Sequence, residues 1–458
     1  MNTREPNEQV TNQKPVLDRA LGLKEATALN MIDMVGIGPF VVLPLVIKTM
    51  NGPDAIWAYV AGALLSVFDG FIWAELGAAM PRAGGSYVFL REAYGAKKWG
   101  KFMSFLIIWQ TMIQAPLVVA SGAIGFAQYL SYILPLTTVT QKMASGALVL
   151  TLVALLYRKI TAIGKITMLL WIGVIGTMLW FIIGGLSHFT PSLIAFPAEH
   201  HWDFSLVFMI ALGQATVQTI YTYLGYYNVC HLGGEIRNPE QVIPRSIFLS
   251  IAGIAVLYLA MIVGVLGAIP WQEAKESQFI VSTLIEHLYG GTAATFATLL
   301  VLWIAFASLF AVLLGYSRIP YAAALDGNFF EVMGRVHPTK HFPHVALLTL
   351  GATAFVFSLL FRLSDVIKAI LAMRIIVQFI GGGIGVMMLR RRSGAASLPY
   401  RMPLYPLPAL IAITAWGAIF ISTGWTFALG GITVISLGTV VFFIRARARK
   451  EWPFAESA

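Results

Sequence analysis

Charge is what this sequence has least of. Asp, Glu, Lys and Arg make up 11% of its 458 residues and hydrophobic residues 58%, whereas soluble domains average roughly 25% charged. That balance excludes a water-soluble globule and makes lipid the expected solvent. Cysteine is almost missing: Cys230 stands alone inside an apolar stretch, which excludes a disulfide framework and any Cys-based metal site. No polar stretch is left for a soluble catalytic domain. The His-Glu-x-x-His, Gly-x-Ser-x-Gly and P-loop patterns are missing too, so an enzyme is not expected. Residues 1–27 carry Arg4, Lys14, Arg19 and Lys24 and lack an apolar core ending in a small-residue cleavage site. They read as a cytoplasmic tail, not a signal peptide.

What the sequence does have is a succession of apolar runs, each long enough to cross a hydrocarbon core of about 30 Å. Gly, Pro and charge clusters punctuate them into twelve expected helical spans. These fall at 28–50, 54–80, 99–130, 143–157, 163–187 and 204–233, then at 246–269, 292–322, 344–361, 366–389, 405–424 and 428–445. With the N-terminus inside, 25 of the 31 Lys and Arg residues lie on the cytoplasmic side, and only Lys48, Lys142, Lys275, Arg362 and Lys368 lie outside. This bias puts both termini in the cytoplasm. The net charge of +10 is then topological, and nucleic acid is not an expected partner. Between spans two and three, Ser86 to Tyr94 alternates apolar and polar faces at helical spacing and is expected to lie along the inner interface.

Two spans are interrupted near the membrane midplane. Asp33-Met34-Val35-Gly36-Ile37-Gly38-Pro39-Phe40 breaks the first, and Tyr221-Thr222-Tyr223-Leu224-Gly225-Tyr226-Tyr227-Asn228 the sixth. Pro39 removes a helical donor and glycine permits non-helical backbone, which is tolerated at that depth only where protein or a watery cavity satisfies it. Taken alone, the first break is equally a Pro kink packed on small residues. A second break at the corresponding place of the next five-span block points instead to an inverted-repeat transporter with its site between the two. Free N–H groups at a half-helix N-terminus suit an anion and freed carbonyls a cation, so a zwitterion suits both.

Several segments resemble the amino acid–polyamine–organocation superfamily, most closely its L-type amino acid transporter branch. They are Glu75-Leu76-Gly77-Ala78-Ala79-Met80-Pro81-Arg82-Ala83-Gly84-Gly85-Ser86-Tyr87, Gly234-Glu235-Ile236-Arg237-Asn238-Pro239-Glu240 with Ile243-Pro244, and Ser317 to Gly327, supported by His337-Pro338 and Pro343. The resemblance implies an all-α, leucine-transporter-like membrane fold. Residues 28–187 and 204–392 would be five-plus-five inverted repeats, 405–445 two peripheral spans and 446–458 a cytoplasmic tail. It further implies that the backbone of Gly36, Ile37 and Gly38 binds a substrate carboxylate and that the carbonyls of Tyr221, Thr222 and Leu224 receive its ammonium group. Tyr221 falls where the family has an aromatic gate, and Tyr227 and Asn228 would line the pocket beyond the break.

The departures from the family pattern are specific. Ile37 replaces the usual Ser between the two glycines, and Pro39 deletes one further N–H. Leu224 stands where L-type members often have Gly, favouring a small or medium neutral substrate. Trp171 aligns where many members have a Lys that substitutes for sodium. Animal L-type members pair with a single-span subunit through an extracellular Cys; this sequence has none, so no disulfide-linked partner is expected.

Ionisable residues at membrane depth cost at least about 2.5–3.5 kcal/mol each, which makes them candidates for function. Asp69 and Arg374 either pair as a gate or each face a polar cavity; Asp33, beside the first break, either senses a cation or proton or pairs with a basic residue. Glu75 and Glu235 are expected to close the inner gate with Arg82, Arg237 or Arg318. His231 either titrates or packs, and His200-His201 with Asp203 reads as solvated rather than as a metal cluster. The hydroxyls of Ser308 and Ser317 either face a cation site or bond their own helix. The expected function is secondary active transport of an amino acid across the cytoplasmic membrane by alternating access, with membrane lipid and the small substrate as partners. No cofactor or metal is expected, and the coupling ion is either a proton or sodium. The alternatives are a polyamine or amine permease, for which Asp33 or Asp69 would supply the acid, and a transporter-like receptor, for which the tails are short.

Overall fold

The computed structural model describes residues 17–195, 205–360, 370, 372–394 and 397–454. The expectations for residues 1–16, for His200, His201 and Asp203, for Arg362 and Lys368 and for the opening of the tenth span lie outside the described residues. No strand occurs among the described residues; two isolated bridges join Leu21 to Ile236 and Ala83 to Leu232.

In chain order the helices begin with α1 (Leu23–Met34), α2 (Gly38–Met50), α3 (Ala55–Ala79), α4 (Ser86–Ala93), α5 (Trp99–Leu130), α6 (Thr138–Leu156) and α7 (Ile160–Ser187). There follow α8 (Pro191–Ile194), α9 (Leu206–Tyr223), α10 (Asn228–His231), α11 (Pro239–Ala268), α12 (Trp271–Ala274), α13 (Ile280–Tyr289), α14 (Gly291–Tyr316), α15 (Arg318–Leu325) and α16 (His344–Leu360). The last three are α17 (Ala372–Ser393), which contains a π-helical stretch Ile375–Ile380, α18 (Leu407–Ser422) and α19 (Trp425–Ala448).

Among the described residues eight helices are long and apolar enough to cross a membrane: α3, α5, α6, α7, α11, α14 continued by α15, α17 and α19. The pair α1 and α2, bent by 47°, adds a ninth, and α16 and α18 are shorter apolar helices. The chain is therefore a multi-pass membrane protein. Local chemistry sets the ends. Expected from residue 143, α6 starts at Thr138 because the Thr137 hydroxyl caps the Thr140 N–H.

Packing follows the rule for helices in lipid, where small residues bring backbones close. On α3, a Cβ on Gly70 would lie 2.7 Å from Ile251, and one on Gly77 2.7 Å from Ile243, both on α11. The segment expected along the interface is helical but not a surface anchor: Ser86, Tyr87, Val88, Phe89, Leu90 and Ala93 of α4 are buried. Gly85 (φ +45°) leads into it, and a side chain there would strike the His231 ring at 2.4 Å. The residues before α1 are stitched to the end of the second break, with Ala20 and Leu21 N–H groups donating to the Glu235 carbonyl at 2.9 and 3.0 Å.

Candidate functional site

Both interruptions are real breaks, and they touch. α1 ends at Met34, and α2 restarts at Gly38 with Pro39 in its first turn, where the missing N–H costs nothing. Among the described residues the N–H groups of Gly36, Ile37 and Gly38 have no acceptor. α9 stops at Tyr223, Leu224 is extended, and Gly225 takes φ +131°. A Cβ on Gly225 would lie 2.8 Å from the Met34 nitrogen and 2.9 Å from the Asp33 carbonyl carbon. Only glycine lets the two breaks meet this closely.

Side chains from neighbouring helices take up the freed carbonyls. The Tyr258 hydroxyl on α11 stands 2.8 Å from the Met34 carbonyl and 3.1 Å from that of Thr222. Ser308 on α14 donates to the Asp33 carbonyl at 3.2 Å. Asn30 accepts from the Val229 N–H at 2.9 Å, tying α1 to α10.

Around the breaks lies a cavity of about 70 Å³, several times what one water needs. Of the residues expected to bind substrate, Gly36, Ile37, Gly38, Tyr221, Thr222, Leu224 and Tyr227 line it, and so do Asp33, Ser308 and Arg374. Its lining thus combines three free N–H groups, one carboxylate and one guanidinium. The Arg374 guanidinium donates to the Tyr227 hydroxyl and, at 3.1 Å, to Gln378, and it lies over the rings of Tyr227 (5.2 Å), Tyr316 (5.7 Å) and Phe379 (5.4 Å). No donor reaches the Asp33 carboxylate among the described residues.

Other expected residues stand elsewhere. Asn228 does not line the cavity: its amide donates to the Ala311 carbonyl at 3.0 Å, and it fills the space that a Cβ on Gly315 would need. Asp69 does not pair with Arg374. It accepts from Trp73 (2.7 Å), Tyr226 (2.5 Å) and Trp416 (3.0 Å), three donors that satisfy a fully buried carboxylate without a cation. Trp171 turns its indole N–H to the Met31 sulfur at 3.3 Å. Ser317 bonds its own helix at Leu314 and receives Arg318.

Glu235 does meet Arg318, with both oxygens engaged at 2.8 and 2.9 Å and both side chains almost wholly buried. Glu75 does not use Arg82, Arg237 or Arg318. It faces the α17–α18 loop, accepting from Arg390 twice at 2.5 Å and from the Met402 N–H at 2.6 Å. Arg82 instead sits 3.8 Å from Asp326, and Arg237 donates to the Ala20 carbonyl. Among the described residues no group of His, Cys, Asp or Glu could hold a metal ion. Tyr258, Asn30 and Tyr316 carry no local sequence signal that would place them at the breaks.

Many lipid-embedded helices and a small polar cavity built on two broken ones define a membrane transport protein rather than an enzyme. The family model for amino acid permeases matches residues 21–444, and the chain belongs to that family. It is 24% identical to the serine/threonine exchanger SteT of Bacillus subtilis (strain 168) over 411 residues, 88% of this chain and 90% of the exchanger. Similarity to the methylthioribose transporter of the same organism is 23% over 461 residues, covering 94% of each chain. The cystine/glutamate transporter of Pongo abelii is 24% identical over 422 residues, 88% of this chain and 80% of that one. The resemblance read from the motifs holds. These relatives are named for different cargoes, so membership leaves the cargo to the site.

Proposed function

We propose that the chain is a secondary active transporter that carries a small or medium neutral amino acid across the cytoplasmic membrane by alternating access. One observation carries this reading: two broken helices meet in a single cavity, one presenting unpaired N–H groups and the other freed carbonyls. Substrate carboxylate would rest on Gly36, Ile37 and Gly38, and its ammonium group on the carbonyls of Tyr221 and Leu224, with Thr222 already shared with Tyr258. The small cavity and the Leu224 side chain in it favour a short substrate. A polyamine is disfavoured, because Arg374 places a like charge in the same cavity.

The helices support a twelve-span reading: α1 with α2, α3, α5, α6, α7 and α9 with α10, then α11, α14, α16, α17, α18 and α19. On that reading 28–187 and 204–392 are the two inverted repeats, 405–445 adds two spans, and both termini are cytoplasmic, as the Lys and Arg bias requires. The coupling ion is a proton or sodium, with Asp33 and Ser308 as the groups beside the break, and Glu75 and Glu235 act as latches of the inner gate.

The test is thermal unfolding of the purified protein with each of the twenty amino acids and several polyamines, with and without sodium, since a ligand of the folded state stabilises it by mass action. Stabilisation by zwitterionic amino acids alone is expected. It should vanish in Gly36→Val, whose side chain would strike Ser308, 2.7 Å from the position of a Cβ. Stabilisation by polyamines alone would overturn the reading.

A further inference from the structure

Away from the cavity, a groove of about 870 Å³ opens where α6 hands over to α7, lined by Ala154, Tyr157, Arg158, Lys159, Thr161 and Lys340 among others. Two loops distant in sequence build it, the α6–α7 turn and the segment before α16. Its wall is fixed by aromatic packing: the Tyr157 ring meets His337 at 5.4 Å and Phe342 at 5.0 Å. Lys340 is held in place, donating to the Tyr157 carbonyl at 2.9 Å with its ammonium 4.5 Å above the Tyr157 ring.

Charge in this groove is of one sign. Arg158, Lys159 and Lys340 have no acidic partner among the described residues, and no acid lines the groove. Several other cations do have an acidic partner: Arg91 has Asp326, Arg318 has Glu235, Arg390 has Glu75 and Lys101 has Glu451. The first N–H groups of the 28-residue helix α7 also open here, adding positive potential.

The groove runs out onto surface made for acyl chains. On α6 the exposed face passes from Leu150 through Ala154 toward Arg158 in the turn beyond its end, and on α7 from Thr161 through Lys165 to Leu169 and Ile172. Leu150, Leu169 and Ile172 are 56%, 61% and 62% exposed. A soluble anion would have no use for those stripes, whereas a lipid needs both a basic head site and an apolar flank.

We propose that this groove binds the phosphate headgroup of an anionic phospholipid, held by Arg158, Lys159 and Lys340, with the acyl chains along the exposed stripes of α6 and α7. The leaflet would be the inner one, a point that rests on the orientation proposed above; headgroup binding itself does not.

Full-length protein in neutral detergent is titrated with phosphatidylglycerol, phosphatidylcholine or inorganic phosphate, reading melting temperature and, by native mass spectrometry, retained lipid. Phosphatidylglycerol is expected to stabilise the protein and the other two not. Each charge removed in Arg158→Gln and Lys159→Gln should raise the half-saturating phosphatidylglycerol concentration about fivefold. Among the described residues these two side chains make no hydrogen bond or ion pair. Lys97→Gln with Lys98→Gln, exposed cations elsewhere on that face, should change nothing. Equal loss in both pairs would reduce the effect to diffuse surface charge, and equal stabilisation by inorganic phosphate would make this a soluble-anion site; either overturns the proposal. Sidedness is read separately, from labelling of Arg158→Cys in sealed proteoliposomes, so its failure would strike the orientation and leave lipid binding standing.

Discussion

The hydroxyl of Tyr258 lies 2.8 Å from the Met34 carbonyl, which the break after α1 leaves without a helical donor. The same hydroxyl is 3.1 Å from the Thr222 carbonyl in the other broken span, so one side chain bridges both breaks. Tyr258→Phe keeps the edge contacts with Tyr59 and Tyr223 and removes only the donor. A buried carbonyl without a partner costs about 1–3 kcal/mol. The variant should melt lower in detergent and lose most substrate-induced stabilisation; melting equal to the parent would show that the hydroxyl does not hold the breaks together.

Gly225→Ala tests the contact between the breaks directly. Its φ of +131° is unfavourable for any side chain, and the added methyl would lie within 3 Å of Asp33 and Met34 backbone. Backbone strain of this kind costs about 1–3 kcal/mol, and separating the breaks should open the cavity. Reduced yield of folded protein and no response to amino acids in the melting assay are expected, whereas Gly213→Ala, with only a 3.6 Å contact to Ser422, should behave like the parent.

Glu235 and Arg318 illustrate a charge pair that is dangerous to break. Both are almost fully buried, so Glu235→Gln leaves a guanidinium with too few acceptors, a loss of about 3–5 kcal/mol. The exposed pair Lys48–Glu276, 59% and 62% accessible, should contribute far less. A double-mutant cycle with Arg318→Gln is expected to be strongly non-additive, the double variant melting above Glu235→Gln alone. Additive losses would show that the two side chains act independently.

How much of this was legible beforehand follows from what sequence encodes. Apolar runs and the Gly36 and Gly225 interruptions are local signals, and both breaks stand where they were read. Seven backbone and side-chain positions expected around a substrate do line one cavity. Pairings across the bundle are not local. Asp69 and Arg374 looked like partners because both are charges at membrane depth, yet three neutral donors satisfy Asp69, and Tyr227 and Gln378 take Arg374. Glu75 found Arg390, 315 residues away, because its face of α3 turns toward the α17–α18 loop. Asn228 stood next to the break but packs on Gly315, a contact that only the crossing of α10 with α14 creates.

Asp69 anchors an aromatic brace, since Trp416 also stacks on Phe379 in the π-helical stretch at 4.0 Å and Trp73 on Tyr227 at 4.7 Å. Asp69→Asn offers one acceptor oxygen in place of two and turns an N–H₂ group toward donors. The variant should lose stability, and the intrinsic fluorescence of Trp73 and Trp416 should shift as their N–H partners are lost. A variant with unchanged melting and spectrum would mean that the brace does not depend on the carboxylate.

Asp33 shares the cavity with Arg374 but receives no donor among the described residues, so its carboxylate has no fixed hydrogen-bond partner there. Asp33→Asn preserves shape and removes titration. If Asp33 couples transport to protons, the variant should still be stabilised by substrate and still exchange it between proteoliposome compartments. Stimulation of uptake by an inward proton gradient should disappear. Stimulation that persists in Asp33→Asn would move coupling elsewhere. Ser308, whose hydroxyl bonds the Asp33 carbonyl at 3.2 Å, would then be the next group to change: a sodium-dependent rise in melting temperature that Ser308→Ala abolishes would identify sodium as the coupled ion.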